Sequence, residues 1–197
     1  MRALLAAVLA LWGPACAGPP SVSSAPGALH ASGSYQHRIT GLVMPERVGP
    51  FERRSVMRHD PEGFSVSARY ESLDPRAALI FHHYPAGNPE GFTTLEDLQA
   101  QFETAKREGF HDAWRSRLVH QQRIDFVING VKVPGAHAVF RYPASRQRAE
   151  PIESHLWLFA AGPWYMKFRV TSPQDEANAA FEAQKRFIRS VEWLQPP

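Results

Sequence analysis

The chain has 197 residues, 44% of them hydrophobic and 21% charged, enough for one domain with a sizeable core and too apolar for global disorder. A formal charge of +3 spread over this length is no nucleic-acid footprint, which needs basic side chains clustered on one face. The single cysteine, Cys16, lies near the N-terminus, so the folded part holds no internal disulfide and no thiol chemistry.

Residues 1–17 read as a signal peptide. Met1-Arg2 is a short positive start, Ala3–Trp12 is an apolar run, and Ala15-Cys16-Ala17 fits small-x-small cleavage after Ala17. The run is well short of the ~20 residues that span a bilayer. A second reading makes Cys16 the lipidated first residue of a bacterial lipoprotein, although Gly13 and Pro14 are a poor match to that motif. Both readings export the chain, to the periplasm or to an outer-membrane anchor at Cys16. Residues 18–37, rich in Pro, Ser and Gly through Ser34, read as a flexible tether, and 38–197 as a single α+β domain.

Within the domain, Arg38–Val43 is expected to form a short edge strand, and Pro45–Phe51 a turn whose Val48 and Phe51 plug the core. Arg53–His59 and Phe64–Glu71 flank the turn Asp60-Pro61-Glu62-Gly63 and predict a hairpin. Phe64, Val66, Ala68 and Tyr70 share one face of its second arm. Asp74-Pro75 turns the chain into Ala77–Tyr84, apolar on both faces and so expected at the centre of the sheet, covered on both sides. Thr93-Thr94-Leu95-Glu96 has capping-box form; Leu95, Leu98, Phe102 and Ala105 follow at helical spacing, and Gly109 stops the helix.

Leu118–Ile128 and Val131–Tyr142 surround Asn129-Gly130, a strong hairpin signal, and Pro134-Gly135 marks a bulge or an edge in the second arm. Ile152–Ala160 and Trp164–Thr171 are strands joined at Gly162-Pro163. Trp164, Met166, Phe168 and Val170 face inward, while Tyr165, Lys167 and Arg169 face outward. Ser172-Pro173-Gln174-Asp175 is expected to cap a last helix with an apolar stripe at Ala177, Ala180, Phe181, Gln184, Phe187, Ile188, Val191 and Leu194.

This order of elements, with the ending Phe181, Phe187, Ile188, Ser190 and Val191, resembles the PsbP-like fold shared with the Mog protein and several bacterial periplasmic lipoproteins. The resemblance spans about residues 38–194 and implies an antiparallel sheet between helices, an α/β/α sandwich. Known members act as assembly factors, extrinsic subunits and small binders, with no catalytic residues to carry over.

Candidate sites are few. His82 and His83 point to opposite faces of a strand, so they cannot chelate one metal together. His111-Asp112 offers an oriented imidazole but no recognisable nucleophile. His120, His137 and His155 all fall on strands that can converge across a sheet, but their spacing is no zinc signature. Nucleotide-binding glycine loops, HExxH, GxSxG and paired-carboxylate motifs are missing, and no cofactor or metal is expected. Arg141, Arg146 and Arg148 read as a solvated loop cluster. The best functional assignment is a partner surface of Tyr165, Lys167, Arg169, Arg141 and Trp157, because aromatics with arginine make interface hot spots.

The expected role is an exported, non-enzymatic binding or assembly module of the cell envelope with a protein partner. It binds no nucleic acid and meets the membrane only through an anchor at Cys16. The rivals are a histidine-dependent hydrolase, a metal-dependent enzyme, and a carrier of an apolar ligand. Lipidation is directly testable. Cys16→Ala releases the protein from the membrane fraction if the anchor exists and leaves fractionation unchanged if Cys16 leaves with the signal peptide.

Overall fold

A computed structural model describes residues 27–87, 93–108, 116–128, 131–145 and 149–191. The class is α+β: an antiparallel sheet with two helices. Its strands are β1 (Gly27–Leu29), β2 (Tyr35–Gln36), β3 (Val43–Met44), β4 (Arg47–Val48), β5 (Phe51–Arg58), β6 (Val66–Leu73), β7 (Arg76–Pro85), β8 (Arg117–Ile128), β9 (Val131–Tyr142), β10 (Ile152–Ala161) and β11 (Trp164–Pro173). The main sheet runs β1-β5-β6-β7-β11-β10-β9-β8, with β4 also on the outer side of β5; β2 and β3 pair separately. Two meanders, β5–β7 and β8–β11, therefore join where β7 pairs with β11.

The connection between the meanders carries α1 (Leu95–Glu108) over β9 and β10 on one face. On the opposite face α2 (Ala177–Ser190) lies over β11 and β7. Two cores result. Leu98, Phe102 and Ala105 of α1 pack on Ala136, Ala138, Phe140, Leu156, Leu158, Ala160 and Tyr165. Ala180, Ala183, Phe187 and Ile188 of α2 pack on Phe51, Tyr70, Leu79, Phe81, Phe159 and Phe168. Burying a side chain such as Phe187 or Ile188 stabilises by roughly 1.5–3 kcal/mol.

Several local expectations need correction. Residues 27–37 do not belong to a tether: β1 pairs with the end of β5, and the Arg53 guanidinium donates to the carbonyls of Ala31, Gly33 and Met44. One guanidinium thereby serves three backbone carbonyls. Arg38–Val43 is mostly the turn between β2 and β3, closed by Gly41 N–H on His37 O and His37 N–H on Leu42 O, both 2.8 Å. Strand β7 is central, but only one of its faces is fully buried, since Ile80 on the other is 45% exposed. Phe64 is also exposed, whereas Val66, Ala68 and Tyr70 are buried as expected.

The first helix is capped one residue later than its sequence suggests. Thr94 Oγ1 accepts Asp97 N–H at 3.1 Å, and the Asp97 carboxylate accepts Thr94 N–H at 3.1 Å, a reciprocal capping box. The last helix has no side-chain cap; a 3-10 turn, Gln174–Glu176, leads into it, and Ser172 is buried in the sheet. Glu176 instead accepts from the Arg76 backbone N–H and guanidinium, joining the start of β7 to the start of α2. The stops at Gly109 and Asn129-Gly130, and Leu194 of the stripe, lie outside the described residues.

Strand β9 is interior, between β8 and β10, so Pro134-Gly135 marks no edge. Neither does it carry the bulge, which is on β8 between Leu118 and His120. Gly135 is required for close approach: a Cβ there would sit 2.5 Å from Phe159 Cδ1 and 2.9 Å from the Leu158 carbonyl oxygen. The Phe159 ring lies across the glycine, and the backbone oxygen cannot move aside cheaply. Gly135→Ala is expected to cost roughly 1–3 kcal/mol by overpacking, read as a lower urea midpoint with an unchanged denaturant slope.

Candidate functional site

Helix α1 covers only part of its face of the sheet. Beyond it β7 and β11 stay half-open, forming a cleft of about 290 Å³. Ile80 and His82 of β7, Lys167 and Arg169 of β11 and Leu156 of β10 line it, with Ala105 and Glu108 of α1, His59 and Ser67 completing the rim. Cross-strand register places Lys167 opposite His82, and Arg169 between Ile80 and Leu156. Lys167 Nζ donates to Glu108 Oε2 at 2.7 Å. Among the described residues Arg169 makes no ion pair.

The imidazoles beside these cations are neutral. Burial pushes His82 down to about 3, helped by the positive charge of Lys167, and burial likewise lowers His59. His82 meets Ser65 Oγ at 2.8 Å and His59 meets Ser67 Oγ at 2.8 Å. The cleft thus offers one guanidinium without a counter-ion among the described residues, one ammonium paired with an exposed carboxylate, and an apolar floor. That arrangement suits an anionic group carried on an apolar stem.

The five residues expected to form one partner surface do not form it. Tyr165 is 3% exposed, under α1, and Trp157 is 4% exposed, under α2. Trp157 Nε1–H donates to Gln184 Oε1 at 3.1 Å, so the indole is spent on the core. A strand pattern says which residues share a face but not where a distant helix lands on it. Lys167 and Arg169 do lie together, in the cleft. Arg141 lies elsewhere, at the mouth of a second polar cluster.

That cluster is a buried chain of side chains on β9 and β10, on the α2 face. Arg141 Nε donates to Glu153 Oε2 at 2.8 Å; Glu153 Oε1 meets His155 Nε2 at 3.0 Å, and His155 Nδ1 meets His137 Nε2 at 3.0 Å. Burial holds both imidazoles below their ordinary value, His137 at about 3, so both rings are neutral near pH 7. The tautomers follow. Glu153 can only accept, so His155 carries its proton on Nε2 and accepts on Nδ1 from His137 Nε2–H. His137 Nδ1 is then a bare lone pair, buried without a hydrogen-bond partner among the described residues. The ring stacks on Trp157 at 3.8 Å, and His120 stands edge-on at 6.4 Å.

The three strand histidines therefore converge as their placement allowed. Among the described residues, however, no three histidine, cysteine, aspartate or glutamate side chains are grouped to hold a metal ion. A third cluster joins His37, Thr40 and His83 beneath the β2–β3 hairpin. His37 meets Thr40 Oγ1 and the Gly63 carbonyl, each at 2.7 Å, and Thr40 Oγ1 meets His83 Nε2 at 3.2 Å. His82 and His83 do take opposite faces. Residues His111, Asp112, Arg146, Arg148 and Cys16 lie outside the described residues.

Sequence reasoning missed His59 as a neighbour of His82, and Glu153 as the partner of both Arg141 and His155. The Glu153-x-His155 spacing on one strand face was the available signal. No protein-family model matches the chain, and no curated protein matches it significantly.

The buried histidines set an acid limit. Burial lowers His37, His59, His82, His83, His137 and His155 in the native state, His82, His83 and His137 to about 3. The unfolded chain takes up those protons near pH 6.5. Stability is thus complete above about pH 6.5 and falls toward about pH 3, by about 1.4 kcal/mol per unit for each fully buried ring. Urea midpoints at constant ionic strength should drop steadily from about pH 7 to about pH 5; a flat profile contradicts this.

Proposed function

We propose that the chain is an exported, non-enzymatic binding module of the bacterial cell envelope, with PsbP-like architecture, and that its cleft receives an acidic segment of an envelope protein. One observation carries the binding reading: Arg169 stands in the cleft between apolar Ile80 and Leu156, with no ion pair among the described residues. Arginine is among the residues enriched at interface hot spots, where surrounding contacts exclude water. Lys167 adds a second cation, since a partner carboxylate can replace Glu108 on it. Neutral His59 and His82 supply hydrogen bonding without adding charge. Export rests on residues 1–17, and the PsbP-like architecture rests on the element order and on the helices covering opposite faces of an antiparallel sheet.

Among the described residues, the Glu153–His155–His137 chain is the feature that favours a histidine-dependent enzyme. Its open nitrogen belongs to a ring that is 3% exposed, where a substrate has little access, and we place it second.

Calorimetric titration with a tetraglutamate peptide tests the first reading. Saturable binding that weakens with salt is expected. Arg169→Ala should lower the affinity by about tenfold or more, and Arg169→Lys by less, since lysine keeps the charge but not the fork. Wild-type protein that fails to bind, or an Arg169→Ala variant that binds equally well, overturns the reading.

A further inference from the structure

Strand β8 ends the sheet and is paired on one side only among the described residues. It is twelve residues long, whereas β1 at the other end has three. Long edges invite another strand unless proline, a bulge or charged side chains blunt them. The bulge in β8 lies between Leu118 and His120, and from His120 to Ile128 the strand keeps regular register with β9 and contains no proline or glycine. Val127 on this edge is 57% exposed, and Ile124 and Phe126 are half-buried.

The charges on the edge are arranged symmetrically. Arg123 and Asp125 are exposed, share one face of β8 on either side of Ile124, and make no ion pair among the described residues. When two copies pair edge to edge, antiparallel and across a two-fold axis normal to the sheet, opposed residues must share a face. Centring the pairing on Ile124 sets each Arg123 opposite Asp125 of the second copy. Centring it on Arg123 or on Asp125 opposes like charges, which destabilises a strand pair. In the favoured register Ile124 meets Ile124, and Gln122 meets Phe126, on the other face.

We infer that a second copy of this chain docks on β8, joining the two sheets into one through an antiparallel β8–β8 ladder centred on Ile124. The interface is separate from the acidic-segment cleft, which lies on β7, β11 and β10, with β9 between it and β8. Either conclusion stands if the other fails.

Sedimentation equilibrium of the mature full-length chain over a wide concentration range tests this. The wild-type chain should dimerise. Asp125→Arg and Arg123→Asp each turn two attractive cross-strand pairs into two repulsive ones and should weaken the dimer by roughly tenfold to thirtyfold. The double variant, Arg123→Asp with Asp125→Arg, restores the pairing and should recover the wild-type constant. Both positions are exposed, and thermal melts confirm that each variant is folded. A wild-type chain that stays monomeric, single variants that dimerise normally, or a double variant that does not recover would each overturn the inference.

Discussion

Strand β10 has almost no contact with water: from Glu153 to Ala160 every residue is buried, on both faces of the sheet. The even-numbered side chains Ser154, Leu156, Leu158 and Ala160 face α1, and the odd-numbered Glu153, His155, Trp157 and Phe159 face α2. A strand covered on both sides requires a layer above and a layer below, so the two helices must lie on opposite faces. It also obliges each polar side chain on it to find a partner within the protein, because an unpaired buried donor or acceptor costs about 1–3 kcal/mol. Glu153 takes Arg141 and His155, His155 takes His137, and the Trp157 indole takes Gln184. Even this closed arrangement leaves His137 Nδ1 unmatched among the described residues.

The half of the sheet formed by β5, β6 and β7 obeys a different rule. Its α2 face is packed, with Val66, Ala68, Tyr70, Leu79 and Phe81 fully buried, but its α1 face is only partly covered. Helix α1 reaches the boundary at β11, where Tyr165 is buried while Lys167 and Arg169 keep partial exposure. One strand thus passes from core to cleft along a single face. That passage is what assembles cations, neutral imidazoles and an apolar floor in one place.

Much of this architecture was legible in the residues. Where one face of a strand is apolar and the other polar, as in Val66–Leu73, period two identifies strand and orientation together. The α2 stripe was equally clear, because Ala180, Phe187 and Ile188 recur at helical spacing. Legibility failed where burial comes from distant chain. Tyr165 and Arg169 share a face, and only the landing point of α1 separates core from cleft. Trp157 looked like an interface aromatic because nothing local announces that Gln184 answers its N–H. The strand histidines could be placed on strands but not joined, since the register of β9 against β10 is set by packing across a polar connection rather than by a tight turn. Residues 27–34 lack large apolar side chains other than Leu29, and their order comes from pairing with β5 and from Arg53, twenty or so positions away.

The N-terminal strap has a consequence for how far the domain can travel. Because β1 is already bound to β5, any attachment upstream can pay out only the residues before Gly27. Eleven peptide steps separate Cys16 from Gly27, a leash of at most about 40 Å when fully drawn. The eight strands between β1 and β8 span about 34 Å at ordinary strand spacing. A molecule held by acyl chains at Cys16 would therefore stay within about one body-width of its attachment, with the β1 edge nearest to it and the β8 edge farthest away.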